Sequence, residues 1–134
     1  DDGVAALAAE LPKLGALEVL NLDRNGIGPA GAEAIADVLP ALRRLAELYL
    51  DENNLGDRGL KALARALPSR GDSLQRLFLR ANAIGDKGLR ALASAMPSMY
   101  ALWTLWLNNN PLSTEAKTHF RYNAWGPRGG LLQM

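Results

Sequence analysis

Gly26, Gly28 and Gly31 follow the order Gly-x-Gly-x-x-Gly, and Asp51 stands about where an acid would meet a ribose hydroxyl. Between a strand and a helix, that spacing could cradle a pyrophosphate on backbone N–H groups. Two of the glycines are periodic, however: Gly28 and Gly31 return as Gly56 and Gly59 and again as Gly85 and Gly88, while Gly26 becomes Asn54 and then Ala83. The glycines belong to a repeated turn, so nucleotide chemistry loses its support. Other reactive groups are sparse. His119 is the one histidine and cysteine is absent, which rules out a multi-histidine or thiolate metal site within the chain. A lone serine–histidine pairing has no positional support, and His119 reads as a polar residue on a terminal helix. Glu47, Asp51 and Glu52 are close enough to suggest a cation site, but repeat registration explains their exposure equally well. Catalysis needs a sheltered pocket with perturbed groups. The expectation is a protein without enzymatic activity, cofactor or metal.

The elements that position these residues are repeats. Leu-x-x-Leu-x-Leu-x-x-Asn occurs from Leu17 to Asn25, Leu45 to Asn53, Leu74 to Asn82 and Leu102 to Asn110, with 28, 29 and 28 residues between successive asparagines. Such a period signals a solenoid whose units lean only on their neighbours. In each unit Leu48 and Leu50, or their equivalents, alternate with outward residues at the period of a strand. A helical face follows: Ala32, Ile35, Ala36 and Leu39, then Leu60, Leu63, Ala64 and Leu67, then Leu89, Leu92, Ala93 and Met96. Glu33, Asp37, Lys61, Arg65, Arg90 and Ser94 fall on the opposite side, a solvated outer face. Pro12, Pro40, Pro68 and Pro97 stop the helices.

These segments, with Ile27-Gly28, Leu55-Gly56, Ile84-Gly85 and helices reading Gly-Leu-Lys-Ala-Leu-Ala or Gly-Leu-Arg-Ala-Leu-Ala, resemble the ribonuclease-inhibitor type of leucine-rich repeat over roughly residues 3 to 116. The resemblance implies a fold and a habit of binding proteins. Inhibition of a ribonuclease is not implied, because the cysteines of those inhibitors are missing and the units are far fewer. The expected architecture is a short right-handed α/β solenoid, a horseshoe arc with a concave parallel sheet and convex helices. Geometry agrees, since strands stack about 4.8 Å apart while helices need about 8 to 10 Å, so the coil must bend.

Asn25, Asn53, Asn82 and Asn110 are expected to be structural, buried amides that satisfy loop backbone groups. The partner surface is expected on the outward strand positions. Tyr49, Phe78 and Trp106 form the middle column, flanked by Asp23, Asp51 and Arg80 on one side and Glu47 and Arg76 on the other. A solvent-facing aromatic row anchors proteins well, although aromatics also simply pair across strands.

A net charge of +1 and 22% charged residues describe an ordinary soluble composition and argue against nucleic acid, which asks for a basic stripe. No apolar run is long enough to span a bilayer. The Gly-x-Ile-Pro signature of plant extracellular repeats is missing, which points to an intracellular setting of unknown compartment. Residues 1–126 are expected to form the repeat domain, with Ser113 or Thr114 opening a divergent capping helix that carries Phe120, Tyr122 and Trp125. Residues 127–134 are expected to be a tail, loose or docking. The first helix lacks a strand before it, so a processed chain or a piece of a longer array is expected. The function expected is non-enzymatic protein binding, as a recognition fragment or scaffold subunit of a multi-subunit assembly. The alternative is a regulator of the Ran GTPase-activating or immune-receptor type.

Overall fold

A computed structural model describes residues 1–126 and 128–134. Pro127, where the expected tail begins, lies outside the described residues. Strands β1 (Val19–Asn21), β2 (Glu47–Tyr49), β3 (Arg76–Phe78), β4 (Thr104–Trp106) and β5 (Leu131–Gln133) make one parallel sheet in chain order. Leu20, Leu48, Leu77, Leu105 and Leu132 pair in register and point inward. Helices α1 (Asp2–Glu10), α2 (Pro29–Val38), α3 (Gly56–Ala66), α4 (Asp86–Ala95) and α5 (Thr114–His119) cover the other side. Each of the first four runs into a 3-10 turn whose second residue is Pro12, Pro40, Pro68 or Pro97. The architecture is the expected short α/β solenoid.

Its core is a stack of leucines, because every coil hands the same inward positions to the next. Leu48, Leu50, Leu60, Leu63, Leu67, Leu77 and Leu79 are all fully shielded. Burying one such side chain stabilises by about 1.5–3 kcal/mol. In α4 the buried alanine is Ala95, and Ala93 is only half-buried, a correction to the expected face. The reason is α5, which stands off from α4 and leaves a groove that Ala93 lines with Leu89, Ala116 and Phe120.

The asparagines tie each coil to its neighbour. Asn53 Oδ1 accepts the N–H groups of Asn25 and Ile27 in the previous coil, while its amide donates to the Leu22 and Leu50 carbonyls. Asn110 repeats this with the N–H groups of Asn82 and Ile84 and the Leu79 and Leu107 carbonyls. Asn25 departs from the expectation and is exposed. Each of these amides serves the loop of the preceding coil, and among the described residues no such loop lies beside Asn25.

A second ladder was not legible beforehand. Asp57 Oδ1, in the first turn of α3, accepts the N–H groups of Gly85 and Gly88 at 2.7 and 2.9 Å and so caps α4. Asp1 does the same for Gly28 at the start of α2, and Asp86 for Ser113 before α5. Proline occupies the equivalent place in α2, Pro29, so that rung is missing. The close approach also explains a periodic glycine: a Cβ at Gly88 would sit 2.7 Å from the Asp57 carboxylate. Asp57→Ala is expected to lower stability by about 1 kcal/mol, measured as a urea midpoint beside Lys61→Ala, an exposed control.

Beyond α5, Phe120–Trp125 winds as a π-helix. The wider turn brings Phe120 and Trp125, five residues apart, to the same inward side, where both are buried. Ser113 caps α5 through its hydroxyl, which accepts the Ala116 N–H at 3.1 Å. The expected tail is corrected: Leu131–Gln133 is a fifth strand, held to β4 by Leu131 N–H to the Trp103 carbonyl and Leu107 N–H to the Gln133 carbonyl. Gly130 permits this, since a Cβ there would strike the Trp103 backbone. Arg128 fastens the segment by donating to the Met96 and Met99 carbonyls.

Candidate functional site

The inner wall of the arc carries the expected columns, since alternate strand residues point away from the leucines. Tyr49 pairs with Phe78 and Phe78 with Trp106 across the strands. The Tyr49 and Phe78 rings are stacked, with centroids 4.3 Å apart and planes 7° from parallel. Trp106 meets Phe78 edge-on at 5.0 Å and 79°. Phe78 is therefore not an open ring: it is only 7% exposed, covered by its neighbours, while Tyr49 and Trp106 remain partly exposed. Strand spacing causes this. Rings in one column of a parallel sheet lie a stacking distance apart, so the middle ring loses both faces.

The flanking charges are brought together, but largely to satisfy one another. Asp23 Oδ1 accepts the Asp51 N–H at 2.6 Å, and Asp51 Oδ1 accepts the Arg80 N–H at 2.8 Å. Burial pushes the Asp51 carboxyl above its ordinary value, and the Arg80 N–H partly opposes that. Glu52 bridges Arg24 and Arg80 and is drawn below its ordinary value by its hydrogen bonds from Arg24 and Arg80. Glu47 accepts the Tyr49 hydroxyl at 2.6 Å and lies 3.3 Å from Arg76. That hydrogen bond makes the Tyr49 hydroxyl harder to ionise. Charges that look free in the sequence are thus engaged by the neighbouring coil: Glu47 with Arg76, Arg80 with Glu52, and Asp23 and Asp51 with backbone N–H groups.

The glycine fingerprint is equally occupied. Gly28 N–H, which a phosphate would have to reach, donates to Asp1 Oδ1 at 2.7 Å. His119 lies on α5 and its ring meets Asn123 at 3.2 Å. Among the described residues no cluster of His, Asp and Glu could hold a metal ion.

Two exposed aromatics escaped the column reading. Trp103 is 50% exposed and Tyr100 72% exposed. Trp103 holds the second position of its repeat, where the other units have Glu18, Ala46 and Gln75. That change of type was the only available signal.

Residues 17–36, 43–64 and 73–93 match the Leucine Rich repeat family, each stretch holding one strand and the start or body of the helix after it. Those three stretches are leucine-rich repeats, and the fold is a short leucine-rich repeat solenoid. Its fold is similar to the tropomodulin C-terminal domain of Caenorhabditis elegans, with a TM-score of 0.75 and 14% identity over 98% of this chain and 81% of that one. At that identity the likeness concerns the fold. No curated protein matches the sequence. No helix among the described residues is long and apolar enough to cross a membrane.

Proposed function

We propose that this leucine-rich repeat chain is a non-enzymatic protein-binding module that holds a partner polypeptide on its concave sheet. Its role is that of a recognition fragment of a larger protein or a small scaffold subunit. The observation that carries the reading is the partly exposed pair Tyr49 and Trp106, packed at the two ends of a ring stack whose middle is Phe78. Preorganised aromatic side chains lose little freedom on binding, and aromatics dominate interface energies. The paired charges around them favour a mixed-sign protein surface, because each ion pair can exchange partners with a neighbour of either sign. Their engagement also speaks against catalysis: the carboxylates of the wall already accept backbone or arginine N–H groups.

The test is a Tyr49→Ser, Trp106→Ser double variant, compared with Lys61→Glu, Arg65→Glu on the convex side. Affinity for the captured partner is expected to fall by about 30-fold or more in the concave variant, the loss of at least one hot spot. The convex variant is expected to bind normally. Undiminished capture by the folded concave variant would discard the reading.

A further inference from the structure

The loops leading into the strands form one long side of the sheet, and their charge differs from that of the turns leaving it. From each 3-10 turn to the next strand, and between the π-helix and β5, the leading rim holds Lys13, Arg43, Arg44, Arg70 and Arg128 against Glu18 and Asp72. The trailing turns hold Asp23, Asp51 and Glu52 against Arg24 and Arg80. Part of the leading charge is engaged: Lys13 pairs with Glu10, Arg44 with Glu18, and Arg128 points at backbone carbonyls. Arg43 is exposed. Arg76, just inside the rim, keeps 43% of its side chain exposed while pairing with Glu47. Arg70 is engaged as well: it donates to the Leu42 carbonyl at 3.3 Å, and its Nε is buried.

The same rim carries apolar surface. Tyr100, Trp103 and Leu131 are 72%, 50% and 49% exposed. Leu131 N–H donates to the Trp103 carbonyl at 2.7 Å, so these two adjoin; Tyr100 stands in the same loop as Trp103, and the Arg76 guanidinium lies 5.8 Å from the Trp103 ring. Isolated exposed apolar residues need no explanation, but a cluster rimmed by cations marks a contact surface. The geometry points to an acidic polypeptide segment carrying an apolar side chain as the occupant of this rim. The apolar group seats against Tyr100, Trp103 and Leu131, and its carboxylates face Arg76 and Arg43. A nucleic acid fits less well, because Glu47 beside Arg76 and Asp72 near Arg70 would repel a backbone charged at every unit, whereas a peptide can place neutral residues there. The inference rests on the protein-binding reading and adds which side of the sheet is used and by what chemistry.

The experiment is fluorescence anisotropy with a fluorescein-labelled peptide alternating glutamate with leucine and phenylalanine. A glutamine-for-glutamate analogue and a single-stranded oligodeoxythymidylate form the other arms. Saturable binding of the acidic peptide is expected, weakened about tenfold by Trp103→Ala, by Arg43→Glu or by raising the salt. No saturation, equal binding of the glutamine analogue, or preference for the oligonucleotide would overturn the inference. Peptide binding that survives Trp103→Ala but is lost in Tyr49→Ser, Trp106→Ser overturns the rim and leaves the concave-wall reading standing. Loss through Trp103→Ala supports the rim, and the wall keeps its own test in the partner affinity of the Tyr49→Ser, Trp106→Ser variant.

Discussion

Asn82→Ala is expected to lower the unfolding free energy by about 2 to 3 kcal/mol. Asn82 is wholly shielded, and its amide donates to the Leu50 carbonyl at 2.7 Å and the Arg80 carbonyl at 3.1 Å. Neither carbonyl is stripped by the change, because Asn53 still donates to Leu50 and the Glu52 N–H to Arg80. What is lost is two neutral hydrogen bonds of about 1 kcal/mol each, together with the longer contact from the Leu55 N–H at 3.4 Å. Asn25→Ala is the matched control. Asn25 is exposed and donates to the Asp23 carbonyl of its own turn, so its loss is expected to stay within about 0.5 kcal/mol. Urea midpoints of the two variants measure the difference, and equal midpoints would remove the inter-coil role assigned to the amide.

Phe78→Ser carries the second large effect, about 3 to 4 kcal/mol, close to the range for deleting a buried phenylalanine. The ring is 7% exposed and touches an aromatic neighbour on each side, so serine forfeits both ring contacts as well as the burial. Tyr49→Ser and Trp106→Ser change the partly exposed ends of the stack and are expected to cost about 1 kcal/mol each. Thermal or urea unfolding of the three single variants would rank them. The ranking matters for function, since removing all three rings confounds binding with folding, whereas the two end rings can be changed in a folded chain.

Much of this was legible in the residues. The recurrence of leucine and asparagine determines which strand residues pair, and the Ala and Leu spacing determines which helix faces turn inward. Alternation gives the direction of a side chain but not what covers it, which is why Phe78 reads as open and is closed. Likewise Asp23 and Asp51 read as free carboxylates, but a parallel neighbour brings a backbone N–H to each. The Asp57 cap is hidden because its partner is a glycine N–H in another coil, and no side-chain type advertises it. Strand β5 escaped notice because only Leu132 and Met134 remain of the repeat's signature, and the close approach at Gly130 looks like a chain end from sequence. Trp103 and Tyr100 fall outside the alternating positions altogether.

The central claim is that a partner polypeptide rests on the inner wall between Tyr49 and Trp106. The most direct measurement is site-specific photo-crosslinking, with a benzophenone side chain placed at Tyr49 or Trp106 on the wall and at Lys61 or Arg90 on the convex helices, the adducts then quantified by mass spectrometry. The account predicts a common partner captured from both wall positions and from neither helix position. Adducts confined to Lys61 and Arg90 would contradict it.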